Sequence, residues 1–268
     1  MTDLLNQFSD ASLNAFSSRR DALRRTGQLG LGAAIAAIPF IKPGRVQAQS
    51  SDGDFGILNY ALTLEYLERS FYRQGTAAGF IPSAVAPLFT KIRQDEEAHV
   101  TLLRGAITQA GGDPVDYTDS DFNFGMFVQS YANFAALAQG LEDTGVRAYK
   151  GQAAAIMNKD YLTVALQIHS VEARHAAAIR RLEASPATQG WIPLAQPGAP
   201  AAIAPVYGPG NGFPSEANTN QGGVELTNAL SGYSAETISE AFDEGLDMAT
   251  VNAIATQFIQ GREGDGNN

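Results

Sequence analysis

Glu96-Glu97-Ala98-His99 and Glu172-Ala173-Arg174-His175 repeat one pattern, a glutamate and a histidine three residues apart, in a chain with only three histidines. On an α-helix, positions i and i+3 share a face, so each copy presents one carboxylate and one imidazole to the same point. One such pair alone is a weak signal, better explained as a solvated surface pair. What lies upstream of the two copies decides between the readings. Glu65 stands 31 residues before Glu96, and Glu142 stands 30 before Glu172. A tyrosine follows each of these glutamates by seven residues, Tyr72 after Glu65 and Tyr149 after Glu142. Each half therefore reads helix, glutamate, turn, helix, Glu-x-x-His, with a repeat of about 77 residues carried mainly by polar positions.

The first glutamates sit where apolar residues belong. Glu65 falls on the stripe Leu58, Ala61, Leu62, Tyr72, and Glu142 follows Phe134, Leu137, Ala138 and Leu141. A lone carboxylate in such a place is costly. Four carboxylates sharing two divalent cations are neutralised, which makes the placement sensible. Without metal, the cluster would raise carboxylate pKa values or open the bundle.

Working outward, the periodicity predicts four long helices, over residues 54–74, 83–110, 124–155 and 158–184. Gly111, Gly112 and Pro114 end the second, and Asp119, Asp121 and Asn123 are taken as caps before the third. Short links join the first two helices and the last two, so each pair should be an antiparallel hairpin. The middle link, 111–123, spans roughly 40 Å when extended, at ~3.3 Å per residue. A 25-residue helix is about 37 Å long. The link can therefore cross the length of the bundle once. Depth agrees: Glu65 and Glu96 lie at similar distances from their shared turn, as do Glu142 and Glu172.

These residues resemble the ferritin-like di-metal carboxylate superfamily, whose pattern is one Glu from each of two helices and Glu-x-x-His from each of the other two. The resemblance covers about residues 54–184 and implies an all-α, ferritin-like four-helix bundle with one long crossover between the second and third helices. It implies Glu65, Glu96, His99, Glu142, Glu172 and His175 as ligands of two metal ions, with Glu96 and Glu172 bridging. Tyr72 and Tyr149 either bond ligand carboxylates, shuttle electrons or pack the core with a satisfied hydroxyl. Glu68 is an alternative to Glu65, but its counterpart in the repeat is Gly145, so Glu65 is preferred. His169, three residues before Glu172, is read as a hydrogen-bonded core or surface residue rather than one facing the metals. Arg93, Asp95, Glu97 and Asp143 read as solvated charges or as charges around the ligands.

The flanks refine this picture. Ser18-Arg19-Arg20-Asp21-Ala22-Leu23-Arg24 precedes a mildly apolar Gly/Ala-rich run to Ile41, then Val46-Gln47-Ala48. This is similar to a twin-arginine export signal with cleavage after Ala48, although Ala22 stands where such signals usually carry Phe. The run is short and Gly-rich for a membrane span. Its removal takes six basic and three acidic residues and moves the net charge from −10 to −13. Four parts are expected: 1–48 as the signal, 49–184 as the bundle, 185–223 as an extended Pro/Gly-rich segment, and 224–268 as a short-helical extension. In the last part, Ser234 and Asp247 are read as starting helices, the second ending near Gln260-Gly261. With signal and extension together, the chain looks most like exported, desiccation-related ferritin-like proteins.

Composition narrows the chemistry. Apolar residues make up 44%, enough for a sizeable core, and the acidic balance argues against nucleic acid or an anionic membrane as partner. No stable membrane insertion is expected once the signal is gone. With no cysteine, thiol catalysis, disulfides and iron–sulfur clusters are excluded, as is a built-in rubredoxin-like electron donor. Mixed carboxylate and imidazole ligands suit two iron ions or, alternatively, two manganese ions. The resemblance implies redox chemistry on dioxygen or hydrogen peroxide: ferroxidase, peroxidase or manganese-type catalase. The other reading is non-enzymatic, a metal-binding, storage or structural stress-protection protein. A periplasmic or extracellular location follows from the export signal, and a homodimer is expected from the family alone.

Overall fold

The computed structural model describes residues 51–183, 189–196 and 198–260. The export-signal expectation for residues 1–48 lies outside them. Four long helices form: α1 (Ser51–Ala77), α2 (Ala86–Gln109), α3 (Tyr131–Ala153) and α4 (Lys159–Glu183). α1 packs on α2 and α3 on α4, with α1 against α3 across the bundle. Asp54, at the start of α1, accepts hydrogen bonds from the backbone N–H groups of Met157 and Asn158, which fixes the start of α4 beside it. At the other end Phe134 stacks on Phe71 and meets Tyr72, Phe80 and Phe89 edge-on, an aromatic plug in which all but Phe80 are fully buried. No helix among the described residues is long and apolar enough to cross a membrane.

The long crossover is present, but it is longer than expected. It contains two 3-10 turns, Asp119–Asp121 and Gly125–Val128, and α3 starts at Tyr131 rather than at 124. The Asp and Asn residues taken as caps serve the crossover instead. Asp121 accepts from the Thr118 backbone N–H and hydroxyl, and Asn123 from the Gly125 N–H. The true cap is Ser130, whose hydroxyl accepts from the Asn133 N–H.

One face of α1 holds this crossover in register. Asn59 bonds the backbone of Asp113 and Val115, Tyr66 donates to Asp116, Arg69 to the Tyr117 carbonyl, and Gln74 to the carbonyls of Asp119 and Phe122. From Asn59 to Gln74 is about 22 Å at 1.5 Å per residue. The link therefore runs alongside α1 from the foot of the bundle to its top, which makes α2 and α3 parallel neighbours in sequence.

The chain after the bundle does not stand apart from it. Its described elements are a 3-10 turn (Ala204–Tyr207), a two-residue hairpin β1 (Asn220–Gln221) and β2 (Val224–Glu225), and three short helices: α5 (Leu226–Ala229), α6 (Ala235–Ser239) and α7 (Met248–Ala255). Ser234 and Asp247 cap α6 and α7, as the sequence suggested, but α7 stops at Ala255. The 3-10 turn and α7 pack on α3. As a result, every residue from Gly140 to Tyr149 is buried, on all sides of the helix. Gly151 marks the closest approach: a Cβ there would sit 2.0 Å from the Leu246 carbonyl oxygen. The fully buried Arg147 anchors the contact. Its guanidinium donates to the carbonyls of Val206, Gly208, Pro214, Glu244 and Gly245, and pairs with Glu216 at 2.9 Å.

Candidate metal centre

Each of the four long helices sends polar side chains into the middle of the bundle. Glu65, Glu96, Glu142 and Glu172 are wholly buried, and His99 and His175 almost so. Helical spacing accounts for this. Glu65 continues the apolar line of Leu58, Ala61 and Leu62, so the packing that buries the line buries the carboxylate. The i, i+3 pairs on α2 and α4 then face it from the other side.

The six side chains fall into two overlapping groups. In one, single ligand-type atoms of Glu65, Glu96, His99 and Glu172 all lie within 4.8 Å of one another. In the other, atoms of Glu96, Glu142, Glu172 and His175 do the same. Glu96 and Glu172 belong to both. Each Glu-x-x-His pair thus supplies one shared carboxylate and one imidazole, and each remaining glutamate belongs to one group alone.

The distances expose an imbalance that protein atoms alone do not resolve. His99 Nδ1 lies 3.0 Å from Glu96 and 3.1 Å from each of Glu65 and Glu172. His175 Nδ1 lies 3.1 Å from Glu96 and Glu142 and 3.7 Å from Glu172. A ring nitrogen carries one proton or one lone pair, so it cannot serve three carboxylates at once. Glu96 Oε1 and both oxygens of Glu172 lack a properly directed hydrogen bond among the described residues. Buried carboxylate oxygens of that kind require a partner. Two cations, each set among three carboxylates and an imidazole nitrogen, would satisfy every one of them, so the residues fit a two-metal centre.

Charge shifts follow from the same crowding. Burial pushes the Glu65 carboxyl up to about 8, against the pull of His99. Burial also drives Glu68 and Glu142 well above the carboxylate range, and the neighbouring carboxylates add to it. Glu172 goes the other way: burial opposes its ionisation, but the bonds and charges of His175 and His99 outweigh it and hold it low. The two imidazoles are pushed up despite burial, His99 chiefly by Glu65 and His175 chiefly by Glu142.

The next layer of side chains holds the glutamates. Tyr72 on α1 donates its hydroxyl to Glu142 on α3, and Tyr149 on α3 donates to Glu65 on α1 at 2.5 Å. Of the roles the sequence left open for the tyrosines, bonding the carboxylates is the one observed. Asp95, half-buried, accepts from His175 Nε2 at 3.3 Å, which turns Nδ1 toward the carboxylates. The repeat gives His99 no such partner, because Val171 stands at the position matching Asp95.

Other expectations meet different outcomes. His169 bonds the Val146 carbonyl at 3.0 Å and stays outside the cluster. Arg93 and Glu97 pair with each other at 2.8 Å, partly exposed. Asp143 is not solvated: it is buried, bonded to Arg180 at 2.5 Å and to Tyr207 at 2.6 Å. Tyr207 belongs to the extension, so Asp143 was misread for want of knowing what covers α3. Glu68 is buried beside the cluster together with Glu65 rather than in its place.

Comparison with curated proteins gives no match. Comparison with family models gives one, described as a ferritin-like domain, over residues 53–185. That span holds the four long helices, apart from the first two residues of α1, and all six clustered side chains, and the all-α bundle with its single long crossover agrees with it. Residues 53–185 of this chain are therefore a ferritin-like domain.

Proposed function

We propose that this chain is an exported di-metal protein that carries out redox chemistry on dioxygen or hydrogen peroxide in stress protection. Six side chains would hold the ions: Glu65, Glu96, His99 and Glu172 the first, and Glu96, Glu142, Glu172 and His175 the second. The observation that carries this reading is the convergence of three carboxylates on each imidazole nitrogen, with buried oxygens left over. Two iron or manganese ions bound there would supply paired electron transfer to a small oxidant. Iron is the first choice, as the commoner metal of the superfamily.

The chain's own residues set the conditions for that chemistry. Four carboxylates match the charge of two divalent ions, so the loaded centre is close to neutral. Tyr72 and Tyr149 hold protons on Glu142 and Glu65 oxygens, fixing those side chains. The Phe71, Phe89 and Phe134 cluster at one end keeps bulk water away.

Export rests on the arginine pair and Val46-Gln47-Ala48, and the likeness to desiccation-related proteins rests on that signal with the Pro/Gly-rich extension. A periplasmic or extracellular location accords with that signal, and a homodimer rests on the family resemblance alone. The test is to load the protein with iron and, separately, manganese, then follow consumption of peroxide and dioxygen. Multiple turnovers per centre with either metal support the reading. Metal-loaded protein that turns over neither oxidant leaves the non-enzymatic one, in which the ions are stored or stiffen the bundle.

A further inference from the structure

Two surfaces of the chain stay uncovered, and they carry opposite charge. The first lies on the extension. From Leu182 to Gly261 the sequence holds eight acidic residues and no lysine, arginine or histidine. Within this stretch β1, β2, α5 and α6 pack on one another. Every residue from Thr227 to Thr237 is exposed. Ile238 turns inward, but Val224, Leu230 and Tyr233 are 51%, 44% and 63% exposed. The segment is an acidic arm with apolar side chains on its outside.

The second lies on the outer side of α4. Lys159, Leu166 and Arg174 are exposed, and their spacing of seven and eight residues sets them on one stripe of the helix. Neither Lys159 nor Arg174 has an ion pair among the described residues. A Cβ at Gly190 would lie 3.5 Å from that of Ala177. This brings Trp191, 49% exposed, to the C-terminal end of the same helix. Scattered apolar residues on a surface are ordinary. These gather on two segments, and tryptophan, tyrosine and arginine are the side chains that most often carry the binding energy of an interface. Both segments are exposed in the single chain, so neither covers the other.

A basic, apolar face matches an acidic, apolar arm in sign and in character, and such complementarity selects a partner and fixes its orientation. We propose that a second copy of this chain is that partner, with the arm of residues 220–237 from one copy laid along the outer face of α4 of the other. Leu230 and Tyr233 then cover Leu166, and Glu225 and Glu236 face Lys159 and Arg174. A two-fold axis makes the contact twice. The arm lies outside the ferritin-like domain, so the contact is this chain's addition to that domain. It gives surfaces to the homodimer of the reading above, on which it rests, and it needs no bound metal.

Sedimentation velocity over a range of concentrations tests the pairing on the full chain. The parent should be a dimer. One variant alters the arm, Leu230→Ser/Tyr233→Ser, and another the face, Lys159→Glu/Arg174→Glu. All four positions are exposed, so each variant should fold, with helix content by circular dichroism equal to the parent's. Each alone should dimerise more weakly by about tenfold or more. Mixed one to one, the two should pair with each other more tightly than either pairs with itself, because the intact arm of the face variant meets the intact face of the arm variant. Folded variants that stay apart on mixing overturn the proposal. Variants that dimerise as tightly as the parent also overturn it, and leave a homodimer built on another face. A parent that is monomeric at every concentration overturns both the arm contact and the homodimer.

Discussion

Tyr149 on α3 reaches across the bundle to donate its hydroxyl to Glu65 on α1, and Tyr72 returns the same contact from α1 to Glu142 on α3. The exchange ties together the two helices that carry one glutamate each, at the depth of the clustered carboxylates. A phenol bonded to a carboxylate fixes the orientation of that carboxylate. Removing such a partner typically costs 10–100-fold in metal affinity. Tyr149→Phe should therefore weaken ion binding by about one order of magnitude or more while the fold persists. Chelator competition measures it, and an affinity unchanged from the parent would show that the hydroxyl only fills space.

The metal-free protein should lose stability as pH rises from about 5 to 8. In the folded state Glu65 keeps its proton to about 8, and Glu68 and Glu142 are raised well above the unfolded value of 4.5. His99 and His175 also keep protons above their unfolded value of 6.5. Over this window the folded state binds more protons than the unfolded chain, so stability falls with pH. Glu172, held low, contributes stability that is present above 4.5 and lost only in stronger acid. Metal reverses the slope, because its ligands must give up protons to bind it. Thermal melts of chelated protein at pH 5.5 and 8.0 check the sign. A Tm that is higher at pH 8.0 without metal would contradict it.

Arg147 should prove to be the anchor of the extension. Its guanidinium is shared among five carbonyls and Glu216, itself pushed up to about 7 by burial. Arg147→Met leaves those groups buried and unpaired, at a cost of about 3–5 kcal/mol. Limited proteolysis should then cut within residues 189–260 first, while the bundle remains helical. Cutting no faster than in the parent would mean that apolar packing alone holds the extension.

Asp54→Ala should cost about 1–3 kcal/mol, the usual cost of leaving hydrogen-bonded N–H groups without their partner. Asp54 accepts from the backbone N–H groups of Met157 and Asn158, just before α4, both at 2.9 Å, and among the described residues no other group bonds them. Chemical denaturation gives the number. No loss of stability would place the α3–α4 turn under the control of its own sequence.

How much of this was readable beforehand varies by element. Glu65 and Glu142 betrayed the centre because a charge on an apolar stripe is conspicuous, and the i, i+3 pairing of glutamate with histidine fixed the opposite wall. The start of α3 was not legible, because the Asp and Asn residues that cap helices also make 3-10 turns, and Ser130 carries no stronger signal than they do. The burial of Asp143 and Arg147 was hidden for a different reason. What covers them, Tyr207 and Glu216, lies more than sixty residues on, in a segment without helical period. Glu68, on a stripe beside that of Glu65, reads as its rival, and its glycine counterpart in the repeat told against it. The fold sets that glycine against Glu68 and Glu172, and Glu65 keeps its own place in the cluster.

The central claim is the two-metal centre, and metal content tests it most directly. The protein should be loaded under reducing conditions, freed of loose ions, and analysed for metal per chain beside Glu96→Ala/His175→Ala. About two iron or manganese ions per chain in the parent, lost in the double variant, is the predicted result. Little or no metal in the parent, or equal metal in both, would contradict the account and leave a helical bundle whose buried glutamates serve some other end.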